Sequence, residues 1–224
     1  MKKFLKLTTV VVSMVMALTF VSCSDGNSSN NGNENLNDGQ LNLVGTYGLS
    51  KVEDIYKSST QENVHTMTML TSTSFRKYET LKMKFGEETI FTEMDYTITK
   101  TADGYSFDWA KYNINGKAAS EEEKAKIVEG FNDDEWIDCT VMFAMTLITT
   151  EDGKWSMLDT SGTYTVDEKN SKVILTALIA EGETLDEPEI MEATYSDNGK
   201  TLVVVTDDSS AEKTDKSTTT YTRK

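Results

Sequence analysis

From residue 41 onward the chain alternates between apolar and polar positions. Leu81, Met83 and Phe85 are separated by Lys82 and Lys84, Met94, Tyr96 and Ile98 by Asp95 and Thr97, and Tyr105, Phe107 and Trp109 by Ser106 and Asp108. Ile137, Cys139, Val141, Phe143, Met145 and Leu147 keep one parity through a longer run. So do Val173, Leu175, Ala177 and Ile179, and later Leu202 and Val204. A period of two puts one row of side chains on a core and the next in solvent, so each segment is predicted as a half-buried strand. The outward positions are rich in Thr, which suits a pleated surface.

Turn chemistry punctuates the pattern. Asp103-Gly104, Asn115-Gly116, Asp152-Gly153 and Asn198-Gly199 fit tight hairpins that need positive φ, and Glu168–Ser171 fits a looser turn. One segment departs from the alternation. Ser120 with Glu123 three residues on is a capping box, followed by Ala125, Ile127, Val128 and Phe131 with Gly130 near the end. This predicts one short inserted helix at about 120–130. About eight to ten strands joined by short turns form an antiparallel meander, and that many in series tend to close, because open edges invite aggregation. The expected class is therefore all-β, an antiparallel up-and-down barrel over residues 41–224, with a two-sheet β-sandwich as the alternative.

Particular motifs carry a resemblance. Gly45-Thr46-Tyr47 resembles the Gly-x-Trp of the first strand of lipocalin-like proteins, with Tyr47 in place of the tryptophan. Gly162–Val166, Ala193–Leu202 and the closing Tyr221-Thr222-Arg223 are similar to lipocalin-like lipoproteins of bacterial envelopes. The resemblance covers the two ends of the domain. It implies a barrel with a central cavity, small apolar cargo and no catalytic residues.

The first forty residues read as an address. Lys2, Lys3 and Lys6 precede a mostly apolar run from Leu7 to Phe20, too short to span a bilayer comfortably and suited to a signal core. Phe20-Val21-Ser22-Cys23 resembles the lipobox of bacterial lipoproteins. That resemblance implies cleavage after residue 22, acylation of Cys23 and a membrane partner met through the lipid anchor. Residues 24–40, SDGNSSNNGNENLNDGQ, are too polar to offset the entropy of ordering them and read as a tether of roughly 20–25 Å. The expected address is the cell envelope, at the outer membrane or cell surface rather than the inner membrane.

Charge then narrows the partners. The 224-residue chain has a formal charge of −15, and loss of residues 1–22 leaves 19 basic residues against 37 acidic, or −18. A surface of that sign repels phosphate, which argues against nucleic acid. One histidine and two cysteines leave little for a zinc cluster or a disulfide framework, and no cofactor is expected. His65 shares the parity of Met67 and Met69 and reads as a strand histidine rather than a proton-transfer group. Cys139, alone once Cys23 is acylated, reads as a small core residue. Two acidic sets, Glu87, Glu88, Glu93 and Asp95, and Asp133, Asp134, Glu135 and Asp138, lack metal-loop spacing and read as solvated charge. With no nucleophile–base pair, the chain is not expected to be an enzyme.

Methionine is the remaining oddity. Eight of the eleven lie after the signal, and unbranched thioethers adapt to varied apolar ligands. The expectation is a non-catalytic binding protein whose barrel is lined by Met83, Phe85, Met94, Tyr96, Phe107, Trp109, Phe143 and Met145. The alternative is a surface-interaction or structural lipoprotein with a filled barrel. The first needs a void on the order of 300 Å³ in the lumen. The second needs an interior packed to native density.

Overall fold

In a computed structural model the chain is described over residues 41–224. The expected signal, Cys23 and the tether lie outside the described residues. Thirteen strands form one antiparallel sheet. The first six are β1 (Gly45–Lys57), β2 (Gln61–Thr71), β3 (Ser74–Phe85), β4 (Glu88–Thr101), β5 (Gly104–Ile114) and β6 (Lys117–Ala118). Two helices follow, α1 (Glu121–Gly130) and α2 (Asp133–Ala144). The chain ends with β7 (Thr146–Thr149), β8 (Lys154–Met157), β9 (Thr160–Asp167), β10 (Lys172–Ala180), β11 (Glu183–Ser196), β12 (Thr201–Asp207) and β13 (Thr214–Arg223).

The expected all-β barrel forms, and it closes with eight strands. β1 pairs with β7, β7 to β13 pair in series, and β13 returns to β1. The other five strands make a wing. β1 is long enough to belong to both parts: Gly45–Gly48 pair with β7, and Lys51–Lys57 pair with β2. β2 to β6 then extend the sheet outward in sequence order. A register shift between Leu49 and Lys51 marks the passage. The extra residue, Ser50, changes the inward parity from Tyr47 and Leu49 to Val52, so barrel interior and inner wing face are one continuous surface.

Turn residues act where the spacing placed them. Asn115 and Gly116 both have positive φ (50° and 77°) between the paired Ile114 and Lys117, the backbone of a two-residue hairpin. A second such hairpin, Glu181-Gly182, joins β10 to β11.

Residues 137–144 are helical, which corrects the strand expected over 137–147. The strand parity put Ile137 and Val141 inward, yet they are 51% and 41% exposed. The buried residues of α2 are Trp136 and Phe143, with Cys139 packed between them, a spacing of three and four. Asn132 caps this helix by accepting from the amides of Asp134 and Glu135 (2.9 and 3.1 Å). Asp133, Asp134 and Glu135 fill its first turn, where negative charge meets the positive end of the helix dipole. The single helix expected at 120–130 is therefore the first of a pair. Its capping box is present: Ser120 Oγ accepts from the Glu123 amide, and Glu123 accepts from the Ser120 amide (2.7 Å). The strand count rises from the expected eight to ten to thirteen partly because β6, β7 and β8, at two to four residues, are too short for a period-two test.

Side chains fill the barrel. Trp155, Leu147, Leu175, Leu202 and Val173 are fully buried and belong to one core with Phe75, Trp136 and Phe143 beneath the helices. At one end the first and last segments of the described domain lock together. Tyr47, fully buried, holds its hydroxyl 2.7 Å from the Gly199 carbonyl and 3.0 Å from that of Leu43, and accepts from Arg223 Nη2 at 2.8 Å. The Arg223 guanidinium stands 5.3 Å from the centre of the same ring. The first and last motifs of the domain thus meet in space.

Candidate functional site

The inner face of the wing carries the site. Cross-strand pairing puts Val52, Met67, Lys77 and Tyr96 in one row, and Asp54, His65, Glu79 and Met94 in the next. α1 and α2 lie over this face. Where they meet it, aromatic rings pack in a chain: Phe75 on Phe143 (5.4 Å between centres), Phe75 on Trp136 (4.8 Å) and Trp136 beside Tyr105 (5.5 Å). Phe131 of the inter-helix link meets Phe107 edge-on (5.6 Å), and Tyr96 lies on Trp109 (4.6 Å). Short spacings of this kind stabilise beyond plain burial, so the roof is firmly seated.

Next to this packed layer the helices stand off the sheet and leave a cleft of about 440 Å³. Its apolar walls are Met67, Met94, Tyr96 and Ile98 from the sheet and Ile127 and Phe131 from the roof. Lys77, Glu79, Lys126, Glu135 and Asp138 complete the lining. Cys139 also faces it. Burial pushes the Cys139 thiol up, with the nearby Asp138 and Glu135 carboxylates adding to it against the opposing pull of Lys77. It is therefore a thiol rather than a thiolate nucleophile at neutral pH. A second cleft of about 450 Å³ lies on the outer wall of β7–β10, beside Ile148, Trp155 and Ile179. Neither cleft is the barrel lumen.

Of the eight residues expected to line a barrel cavity, none lies on the closed ring. Met83 and Phe85 end β3 at the rim of the wing, where Phe85 is 55% exposed. Met94 and Tyr96 line the cleft, and Phe107 and Trp109 stack beside them. Phe143 holds α2 to Phe75, and Met145 caps the end of the same helix. The alternation in β4 and β5 marks an inner face, but that face belongs to the wing, and Phe143 and Met145 belong to the helix that covers it. Met67, Ile127 and Phe131 were missed as lining residues. Met67 was visible by its parity, whereas the roof depends on a helix pair of which only one member was predicted.

Polar groups gather beside the cleft. His65 Nδ1 stands 3.8 Å from Asp54 Oδ2 on the neighbouring strand. Burial pushes the Asp54 carboxyl up, but contacts from His65 and Ser217 outweigh it and hold the carboxyl below its ordinary value. The acidic set of β3–β4 serves elsewhere: Asp95 accepts two bonds from Arg76 (2.9 and 2.7 Å), and Glu93 pairs with Lys111 (2.7 Å), across strands. Among the described residues, no three His, Cys, Asp or Glu converge as metal ligands, and no helix is long and apolar enough to cross a membrane. No protein-family model matches the chain, and no significant match joins it to the curated proteins or to the solved structures.

Proposed function

We propose that this chain is a lipoprotein of the bacterial cell envelope, anchored through acylated Cys23, whose lipocalin-like barrel is the scaffold for a non-catalytic binding cleft. The ligand is a small apolar molecule, and it binds between the helices and the wing rather than in the lumen. The observation that carries this reading is the cleft of about 440 Å³ walled by Met67, Met94, Tyr96, Ile98, Ile127 and Phe131. Its volume suits a small ligand, and a mostly apolar wall with a few polar groups is the usual make-up of such sites.

Orientation supports it. Asn42 donates to the Asn198 carbonyl (3.1 Å), so the chain enters the domain beside the β11–β12 turn. The wing leaves from the far half of β1. The tether therefore joins the domain at the end of β1 remote from the wing that carries the cleft. Two or three acyl chains anchor far more firmly than one, so the acidic polypeptide need not touch the bilayer.

A filled-barrel interaction protein is the second reading, favoured by the buried Trp155, Leu175 and Tyr221 inside the ring. Titration with the neutral fluorophore N-phenyl-1-naphthylamine separates the two. Micromolar binding that falls at least about tenfold in Met94→Lys, with the melting curve retained, is the expected result. Absence of binding, or binding indifferent to Met94→Lys, defeats the cleft reading. For the anchor, Cys23→Ala is expected to move the protein from the membrane to the soluble fraction. Unchanged fractionation removes it.

A further inference from the structure

The apolar surface of the cleft continues past the end of its roof. In β3, Phe75, Lys77 and Glu79 line the cleft, and strand alternation carries Leu81, Met83 and Phe85 onto the same face. In β4, Ile98, Tyr96 and Met94 line the cleft, and Ile90 shares their parity. The register between these strands is unbroken from Ser74 to Phe85, with Leu81 opposite Thr92 and Met83 opposite Ile90. On β5, Tyr112 stands opposite Met94 and Ile114 opposite Thr92. An apolar lane therefore leaves the cleft at Met94 and reaches the tip of the β3–β4 hairpin.

The roof runs the other way. The Ala119 amide donates to the Tyr112 carbonyl (2.8 Å), which starts α1 level with Met94. At its far end Phe131 meets Phe107 and Tyr105 (5.6 and 5.0 Å between centres), level with Ile98 and Lys100. The rows of Thr92 and Ile90 thus lie outside the span of α1. Leu81, Met83 and Ile114 are half-buried yet do not pack against the main core, and Ile90 and Phe85 are 39% and 55% exposed. The opposite face of β3 carries Lys82 and Lys84 over the same rows, so the hairpin is two-sided and turns its apolar side toward the side on which the cleft opens.

Shape decides what fits there. From the row of Glu79 and Met94 to Phe85 is six residues of β3, about 20 Å, and Gln61 and Asn63 of β2 border the lane so that it is about 10 Å wide. That is on the order of 200 Å², against about 800 Å² per partner in a stable protein interface, too little to seat a second copy of this chain. A long narrow apolar strip that joins an apolar cleft end-on fits a chain.

We propose that the ligand is a single unbranched alkyl chain longer than the cleft, held at one end under α1 and lying along Leu81, Met83, Ile90 and Phe85 at the other. This rests on the cleft reading and names the class of molecule that the cleft and lane take together.

The test uses the mature chain carrying Cys23→Ser, so that no attached lipid competes. Octyl, decyl, dodecyl and tetradecyl ethers of pentaethylene glycol, kept below their micelle concentrations, share one neutral head and differ only in chain length. Their binding is measured by calorimetry. Full burial of a methylene raises affinity about fourfold, and a chain on an open face buries one side only, so about twofold per methylene is expected up to the tetradecyl ether. Met83→Asp and Ile90→Asp should each weaken the tetradecyl ether at least about tenfold and the octyl ether less than about twofold, with the melting curve retained. Met94→Lys should weaken both ethers alike. Binding of both ethers that is indifferent to Met83→Asp and Ile90→Asp, or weakened equally by them, overturns the lane and leaves the cleft reading standing. Binding of neither ether overturns both.

Discussion

Replacing Tyr47 by phenylalanine removes one oxygen atom from the sealed end of the barrel. The ring stays, so its burial and its contact with the Arg223 guanidinium, 5.3 Å from the ring centre, are retained. What goes is a hydroxyl that serves the Gly199 carbonyl at 2.7 Å and accepts from Arg223 Nη2 at 2.8 Å. Arg223 keeps its bonds to the Gly199 carbonyl (3.2 Å) and to that of Asn42, so the charge is not stranded. The loss is then one charge-assisted hydrogen bond from Arg223 and one hydroxyl bond to a carbonyl that keeps its Arg223 donor, together about 2–3 kcal/mol. For a domain of this size that lowers the melting temperature by roughly 4–10 °C. Guanidinium denaturation followed by tryptophan fluorescence should show a lower midpoint at unchanged slope. In a double-mutant cycle with Arg223→Met, the coupling energy should reach about 1–2 kcal/mol. A Tyr47→Phe variant within about 0.5 kcal/mol of wild type, or zero coupling to Arg223, would refute the claim that this pair locks the first strand of the domain to the last.

Gly162→Ala probes the wall of the same barrel. A Cβ at Gly162 would lie 1.8 Å from the Thr176 carbonyl oxygen, an approach only a shift of β9 against β10 could relieve, so the variant should lose at least about 4 kcal/mol or fail to fold. Normal denaturation of Gly162→Ala would show that the two strands are not held this close. Alkali offers a second handle. Burial is the leading cause of raised phenol values at Tyr47, Tyr96, Tyr112, Tyr164 and Tyr221, and Tyr105 is pushed up to about 12 by burial and by its bond to Asp133. Unfolded phenols ionise near pH 10 and these folded ones later, so the stability they contribute is complete below about pH 10 and declines as pH rises through the folded values. Denaturation midpoints should therefore fall steadily above pH 10, and less steeply in Tyr96→Phe. A flat profile to pH 12 would contradict the burial of Tyr47, Tyr96 and Tyr221.

The closed sheet was legible because most barrel strands obey one rule over many residues. Val173, Leu175 and Ala177 are inward as their parity said, and so is Leu202. Ile179 is not, since the register shift between Ala177 and Ile179 resets the phase. Bulges defeat parity counting because the pattern on each side remains regular. α2 was illegible for a different reason. Trp136, Cys139 and Phe143 carry the helical spacing, but Ile137, Val141 and Met145 alternate through the same run and mimic a strand. Asn132 with an acidic first turn breaks the tie, a helix-start signal that resembles solvated loop charge when the cap is not counted with it. The wing was invisible as a wing. Its strands have the same two-faced pattern as the barrel's, and only long-range pairing assigns β2 and β7 to different halves of one strand.

That division of β1 also bears on where a ligand can go. An eight-stranded ring has an interior just wide enough for its own side chains, and here Trp155, Tyr47 and Leu175 occupy it. Enlarging the lumen would mean giving up the core that holds the ring closed. The wing escapes this conflict, because its inner face is covered by helices joined through loops. Phe75, Trp136 and Phe143 fasten that cover at one side, and the remaining span stands open over Met67 and Met94 without loss to the barrel. Helix packing rather than barrel diameter then sets the size of the cleft. Truncating a roof side chain such as Ile127 should enlarge the site while leaving barrel stability intact, whereas truncating Leu175 should weaken the fold without changing what binds.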